Sequence, residues 1–356
     1  IPHNGNLSNG MMFPLQAVDG TGIDTAYAET RARWEKIYEV TQIKGDGEAH
    51  PLLSPDDEFA DYETWDVGNL DLSQKKTDDM LPHEYMRSAL KLGLEQGAKL
   101  GTDPFQLGMI GSTDSHTSLP AVEEESFFGK HAGSEPQPER WQHPFMKNDN
   151  GVIMGWQEVA SGFAAVWARE NTRASIFDAM ERRETYATTG SRMLVRFFGG
   201  YDFLPEHTRS RIPADIGYEL GVPMGGELGE AKAGKAPTFL VAALKDPIGA
   251  NLDRIQIIKG WLGADGKAQE KVYDVVWGDA DKRQPGADGK LPAVGNTVDV
   301  PSATWTNTIG DPELIGVWKD PDFDASQPAF YDARVIDIPT PLWPAYDGFR
   351  YGIYLR

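Results

Sequence analysis

The arrangement of hydrophobic and polar positions changes near residue 190 of the chain. Before that point, residues 26–35, 82–100 and 171–183 have apolar side chains at helical spacing. Residues 37–43 alternate apolar and polar side chains, and residues 107–111 form a short apolar run, so both segments predict strands. Helices that alternate with strands are typical of an α/β layer or barrel. The first part of the chain is therefore predicted to be an α/β domain.

From Met193 onward the chain consists of short alternating runs, such as MLVRFF, TFLVAAL and KVYDVVW. Turn-forming pairs such as Asp265-Gly266 separate some of these runs. This pattern predicts an antiparallel β domain of the sandwich type. We therefore expect two domains, an α/β metal-binding domain at residues 1–192 and an antiparallel β domain at residues 193–356.

Composition excludes several classes of protein. The chain has 356 residues, with 34 Lys and Arg against 54 Asp and Glu, which gives a net charge of −20. Such a charge opposes binding to nucleic acids and to anionic membranes. The chain has no cysteine, which excludes disulfides, thiolate nucleophiles and cysteine-bound zinc. No apolar run has membrane length, so we expect no membrane insertion, and we favour a periplasmic or secreted location over a cytoplasmic one.

The apolar run at 107–111 leads directly to Asp114 and His116. In an extended backbone these two side chains would share one face. A carboxylate and an imidazole at the end of a strand can bind one metal ion or form an acid/base couple. Such a pair can equally well hold a loop in place.

Three further residues surround the end of the strand predicted at 37–43. Glu39 and His50 could reach the same edge of the sheet as metal ligands, although Glu39 also suits an outward-facing position and His50 suits a turn. Lys44 could bind an anionic substrate or could simply be solvated. The sequence alone leaves these alternatives open.

Charged residues elsewhere have simpler interpretations. Arg183 and Tyr186 close the last predicted helix of the first domain and are candidates for substrate binding, although basic residues also stabilise helix ends. The run Glu123-Glu124-Glu125 could supply a general base, but runs of charge usually form a solvated surface. His3 alone would be interpreted as a surface histidine.

Several long blocks resemble the uncharacterised family DUF3604, and the resemblance covers nearly the whole chain. The blocks are IPHNGN, YEVTQIKGDGEAHP, GMIGSTDSH, ASGFAAVWARENTRASIFDAMERRETYATTG and NLDRIQIIKGW. That family looks like a branch of the PHP (polymerase and histidinol phosphatase) metallohydrolases. The resemblance implies the C-terminal part of a distorted PHP-like α/β barrel, followed by an antiparallel β-sandwich domain.

The resemblance also implies a metal site. PHP proteins hold two or three divalent ions, such as zinc, manganese or iron, at the carboxyl ends of barrel strands. His3, Asp114 and His116 match ligand positions of that pattern, with Glu39 and His50 as further candidates. The early His-x-His motif of the family is missing, so the chain resembles the later part of a longer family chain. We therefore expect the active protein to include an N-terminal segment of the same precursor, and an oligomer is a further possibility.

These points lead to one functional hypothesis and two alternatives. The hypothesis is a metal-dependent, phosphoesterase-like hydrolase of a small-molecule ester, in which Asp114 and His116 are catalytic and metal-activated water attacks the substrate. Lys44, Arg183 and Tyr186 would bind the substrate. One alternative is hydrolysis of a carboxylic ester, amide or carbamate. The other is a ligand-binding protein without catalysis.

Overall fold

The structure is a computed structural model that describes residues 1–118, 121–231 and 234–353. Contacts between Cα atoms divide the chain into two compact units. The first unit comprises Ile1–Gly190, Gly260–Gln269 and the end of the chain from Leu342. The second unit comprises Ser191–Lys259 and Glu270–Pro341.

The described residues form a mixed α/β structure. Its five helices are α1 (Thr25–Trp34), α2 (Met86–Leu100), α3 (Arg173–Glu181), α4 (Pro213–Leu220) and α5 (Trp343–Tyr351). Its strands are β1 (Ile37–Gln42), β2 (Gly45–Asp46), β3 (Gly108–Gly111), β4 (Pro144–Asn148), β5 (Gly151–Met154), β6 (Phe163–Val166), β7 (Thr185–Thr188), β8 (Leu194–Gly200), β9 (Gly221–Pro223), β10 (Thr238–Leu244), β11 (Leu252–Leu262), β12 (Ala268–Trp277), β13 (Glu313–Lys319) and β14 (Ala329–Asp337). Each of these helices is too short or too polar to cross a membrane.

The first unit is built on a small sheet with the strand order β2-β1-β3. β1 is buried along its whole length and pairs in parallel with β3, whereas the two-residue strand β2 is antiparallel to it. β4 pairs with β5 and β6 pairs with β7, both antiparallel. The predicted α/β class is therefore confirmed in its coarse form. The strands within the described ranges form open sheets and no closed barrel, because β3 and the very short β2 end the central sheet.

Local capping explains where the predicted helices begin and end. The Asp24 carboxylate accepts a hydrogen bond from the backbone N–H of Tyr27 at 2.8 Å and starts α1. The Thr172 hydroxyl does the same for α3. α2 begins at Met86, four residues later than the predicted start, because residues 81–83 form a separate 3-10 turn. It ends at Leu100 and is capped by Gly101, whose φ of 78° suits glycine.

The strand before Asp114 ends where the sequence pattern predicts, but the backbone does not stay extended as far as Asp114. β3 ends at Gly111, and Asp114 has a φ of 49° in the left-handed region. Extended geometry therefore does not align Asp114 with His116. Asp tolerates this conformation better than most residues because its short side chain bonds locally.

The segment 117–157 is rich in proline and its pattern predicts a long irregular loop, yet it contains the β4–β5 pair. Ile153 of β5 is buried in a cluster with Leu7, Trp65 and Leu72. Apolar positions in this pair are too few and too irregular to predict the two strands from the pattern alone.

The second unit contains two sheets, with the orders β13-β10-β8-β9 and β12-β11-β14. Both sheets contribute to one apolar core, in which Phe239 and Val241 of β10 pack with Ile255 and Ile257 of β11. A shared core between two sheets fits a β-sandwich. α4 in this unit and α5 in the first unit are two helices that the sequence pattern did not predict.

Glycine at position 111 allows close packing at the end of β3. A Cβ atom there would lie 2.8 Å from the carbonyl oxygen of Phe163 and 3.2 Å from that of Thr188. Both are backbone atoms of the paired strands β6 and β7, so they cannot shift without disturbing the strand pairing.

We expect Gly111→Ala to lower the free energy of unfolding by about 1–3 kcal/mol, because it overpacks this contact. Gly22→Ala is the matched control, since a Cβ atom at Gly22 meets no atom within 4 Å. Chemical denaturation of both variants measures the difference. Equal stabilities would contradict the packing described for β3.

Candidate functional site

Two neighbouring parallel strands end at one edge of the central sheet. β1 and β3 pair Glu39 with Ile110 and, after a shift in register, Thr41 with Gly111. The carboxyl ends of parallel strands are where α/β proteins usually carry their sites. The segment that contains Glu158 runs beside this edge, because the backbone N–H of Val159 donates to the carbonyl oxygen of Ile43 at 3.0 Å.

Asp114 lies between two lysines at this edge. Its carboxylate forms ion pairs with the Nζ atoms of Lys44 and Lys130, the second at 2.6 Å. The side chains of Lys44, Lys130 and Asp114 are only 4%, 10% and 11% exposed. Two ammonium groups thus share one carboxylate in a poorly solvated place.

Burial and the ammonium group of Lys130 lower the pKa of Lys44 to about 7, although the carboxylates of Glu39 and Glu158 act in the opposite direction. Burial also lowers the pKa of Lys130. Burial raises the pKa of Glu158 to about 7. The site therefore holds two groups, Lys44 and Glu158, with pKa values near 7, and perturbed pKa values are typical of functional sites.

His116 is the most exposed member of the cluster, with 65% of its side chain accessible. Its Nε2 atom lies 3.2 Å from Asp114 Oδ1 and 3.1 Å from Lys130 Nζ. The ammonium group of Lys130 lowers the pKa of His116 below its usual value. The ring is therefore neutral at pH 7, which is the form that accepts a proton or binds a metal.

Glu39 and His3 form the second half of the site. The Ser112 hydroxyl donates a hydrogen bond to Glu39 Oε1. The other oxygen, Glu39 Oε2, is buried and has no hydrogen-bond partner within the described part of the chain. His3 Nδ1 lies 3.7 Å from that oxygen, and the His3 side chain is 55% exposed. A buried carboxylate oxygen without a partner is costly unless something else binds it.

The fit of this site to a metal ion is limited to one position. A separation of 3.7 Å between Glu39 Oε2 and His3 Nδ1 is short enough for one ion at roughly 2.0–2.2 Å from each atom. Asp114 is already neutralised by two ammonium groups, which would repel a cation. Among residues 1–118, 121–231 and 234–353, no three His, Asp or Glu side chains converge on one point. The described donors therefore fit one ion, with water completing its shell, and offer no second set.

Three other candidate residues have different partners. His50 Nε2 faces Asp66 Oδ2 at 3.4 Å, and its Nδ1 accepts the backbone N–H of Leu52 at 3.1 Å. Arg183 donates to the carbonyl oxygen of Gln106 at 2.9 Å. Tyr186, on β7, has its ring 6.4 Å from that of Trp167. The structure thus gathers His3, Glu39, Lys44, Asp114 and His116, and it gives His50, Arg183 and Tyr186 these other contacts.

Sequence reasoning missed Lys130, Glu158 and Ser112. Lys130 reaches the site from the irregular segment 117–157 and Glu158 from the residue just after it, and no motif or spacing marks either of them. Ser112 lies in the same block as Asp114 and could have been noticed because it follows the apolar run directly. These three residues lie beside the other site residues only in the folded chain, so no local sequence pattern identifies them as a group.

Comparison with known proteins places all these residues inside one family match. The chain matches, over residues 1–356, the family described as "Protein of unknown function (DUF3604)". Searches of curated proteins and of solved structures found no match. Every residue of the candidate site lies within the family match.

Proposed function

This chain belongs to the DUF3604 family, and we propose that it is a metal-dependent hydrolase of PHP type that acts on a phosphoester. The observation that carries the proposal is the buried, unpartnered Glu39 Oε2, which faces His3 beside a pair of lysines. One half of the site can hold a cation and the other half can hold an anion. Hydrolysis of a phosphoester needs both.

In this proposal the lysines bind the substrate. Lys44 and Lys130 both point their ammonium groups at one place, now filled by the Asp114 carboxylate. A phosphoryl group carries the same type of oxygen acceptor and can take up the same donors. Because the lysine side chains are poorly solvated, their attraction for developing negative charge is stronger than in water.

In this proposal His116 is the general base that takes a proton from the attacking water. The neutral ring of His116 can accept a proton from the attacking water at Nδ1, while Nε2 faces Asp114 Oδ1 at 3.2 Å, and that carboxylate stabilises the resulting imidazolium. His3 and Glu39 would hold a zinc, manganese or iron ion, which would supply the acidification of a bound water. Ser112 keeps the Glu39 carboxylate oriented through its hydroxyl.

Removing the metal is expected to abolish turnover. The purified chain is treated with EDTA and then given zinc, manganese or iron. Hydrolysis is measured on p-nitrophenyl phosphate, bis(p-nitrophenyl) phosphate and p-nitrophenyl acetate. We expect at least one phosphate ester to be cleaved, the activity to disappear with EDTA, and one metal to restore it. Activity that persists without metal would contradict the proposal, and cleavage of the acetate alone would favour the carboxylic ester alternative.

The second candidate is a ligand-binding protein without catalysis. It is favoured by the lysines that neutralise Asp114, and by the lack of three converging metal ligands among the described residues. In that case the chain binds inorganic phosphate at the lysines but cleaves none of the three esters with any metal. Calorimetric titration with phosphate beside the hydrolysis assay separates the two candidates.

The PHP assignment and the number of metal ions belong to this proposal. The PHP assignment is supported by the resemblance of the GMIGSTDSH block and by the site at the carboxyl ends of parallel strands. The periplasmic or secreted location and an oligomeric state stay predictions.

A further inference from the structure

The loop that carries Lys130 is closed around a buried arginine. Arg140 Nη1 donates to three backbone carbonyl oxygens of this loop, those of Phe127 at 2.9 Å, Phe128 at 3.2 Å and Ser134 at 3.2 Å. These carbonyl groups lie on both sides of Lys130 in the sequence. Backbone carbonyl groups inside a protein need a hydrogen-bond donor, and here one side chain serves three of them. Arg140 therefore fixes the path of the loop.

The same loop contacts the candidate site through its backbone. The backbone N–H of His116 donates to the carbonyl oxygen of Lys130 at 2.7 Å. The Ser115 hydroxyl donates to the carbonyl oxygen of Gly129 at 3.1 Å. From this position Lys130 Nζ reaches the Asp114 carboxylate at 2.6 Å. The place of the lysine therefore depends on the course of the loop as well as on its own side chain.

Arg140 is in turn fixed by the helix α5. Its Nε and Nη2 atoms donate to Asp347 Oδ2 at 2.5 Å and Oδ1 at 3.0 Å, a two-point contact that sets the orientation of the guanidinium plane. The guanidinium also lies over the Trp343 ring, 4.5 Å from its centroid. The side chains of Arg140 and Asp347 are only 3% and 1% exposed. One buried ion pair thus joins the loop of Lys130 to a helix 207 positions away.

Packing alone does not require an ion pair at this place. Replacing a buried ion pair by well-packed apolar side chains is often neutral or stabilising, because the charges lose their hydration on burial. Apolar side chains could not, however, donate to the carbonyl groups of the loop. The hydrogen bonds from Arg140 Nη1 are therefore what this ion pair adds to the packing of α5, and they act on the loop that carries Lys130.

We propose that Arg140 and Asp347 are positioning residues for Lys130. Asp347 orients Arg140, and Arg140 holds residues 127–134 so that the Lys130 ammonium group lies where a phosphoryl group binds. This inference rests on the proposed function, in which Lys44 and Lys130 bind the phosphoryl group. Binding groups have to be held close to their productive geometry by the residues that support them, so a loop without this support should bind phosphate poorly.

The test compares variants by calorimetric titration with inorganic phosphate and by amide hydrogen exchange of the phosphate-free chain. Arg140→Met combined with Asp347→Leu replaces the ion pair by apolar side chains, and thermal melting checks that this double variant is folded. We expect it to bind phosphate at least about tenfold more weakly than the parent, because Lys130 is misplaced. We also expect faster exchange in the peptide that contains His116, whose N–H donates to the loop.

Asp57→Asn is the matched control for the single variant Asp347→Asn. Asp57 forms a buried ion pair with Arg87 of α2 at 2.6 Å, so this change removes the same kind of charge from a different element. We expect Asp57→Asn to keep the parent's phosphate affinity and its exchange near His116, whereas Asp347→Asn changes both. An equal loss of affinity in the two single variants would overturn the inference in favour of general destabilisation.

The two measurements separate this inference from the proposed function. A folded double variant with the parent's phosphate affinity, or with the parent's exchange near His116, would overturn the positioning role. A parent chain that does not bind phosphate would contradict the proposed function instead. Exchange then decides the positioning role by itself, because faster exchange in the double variant supports it and equal exchange overturns it.

Discussion

Replacing Asp114 by asparagine is expected to destabilise the first unit by about 2–4 kcal/mol and to abolish phosphoester hydrolysis. The Asp114 carboxylate is shared by Lys44 and Lys130, whose side chains are only 4% and 10% exposed. Removing one partner of a buried ion pair typically costs about 3–5 kcal/mol, because the remaining charge stays buried without compensation. The cost is expected to be somewhat smaller here, because Lys44 has a pKa lowered to about 7 and can lose its proton.

The opposite substitution, Lys44→Met, should be much milder. Lys130 keeps its ion pair with Asp114 at 2.6 Å, and the repulsion between the two ammonium groups disappears. We expect a change in unfolding free energy of less than about 1 kcal/mol, together with loss of phosphate binding. Asp61→Asn is the matched control, because Asp61 is exposed. Urea denaturation of the three variants and of the double variant measures the coupling, and an Asp114→Asn chain as stable as the parent would contradict the electrostatics described for the site.

Much of the local structure could be predicted from residue spacing. α1, α2 and α3 follow from apolar periodicity, and their ends follow from Asp24, Gly101 and Thr172. These signals lie within a few residues of the structure that they determine. The coarse α/β class follows from the same local signals, whereas the closure of a barrel depends on pairings between distant strands and did not follow from them.

The site was only partly predictable for the same reason. Asp114, His116 and Lys44 lie next to predicted strands, so their position at one edge could be inferred. Lys130 and Glu158 join them from a segment whose pattern carries no signal, and the left-handed φ of 49° at Asp114 is not visible in the sequence. The run at Glu123–Glu125 predicted a solvated surface, yet Glu124 lines a pocket and its backbone partner is the N–H of Trp343. Burial of a charged residue depends on a partner more than two hundred positions away, which no local pattern can indicate.

Glu39 is the residue on which the proposed metal site depends most. Its Oε1 atom accepts a hydrogen bond from Ser112, whereas its buried Oε2 atom has no hydrogen-bond partner among the described residues and lies 3.7 Å from His3 Nδ1. Glutamine at this position keeps an oxygen for Ser112 but removes the negative charge. Glu39→Gln should therefore fold normally and bind a divalent ion at least about tenfold more weakly, since the ligand set loses its only anion.

The most direct test is to quantify bound metal and phosphoester hydrolysis together in the parent chain, in Glu39→Gln and in Glu29→Gln. Glu29 is an exposed glutamate on α1 and serves as the control. We expect the parent and Glu29→Gln to bind one zinc, manganese or iron ion and to share one rate of hydrolysis. Glu39→Gln should lose most of the metal and about 100-fold or more of the rate. Equal metal content and equal rates in Glu39→Gln and the parent, or a parent chain with neither metal nor hydrolysis, would contradict the account.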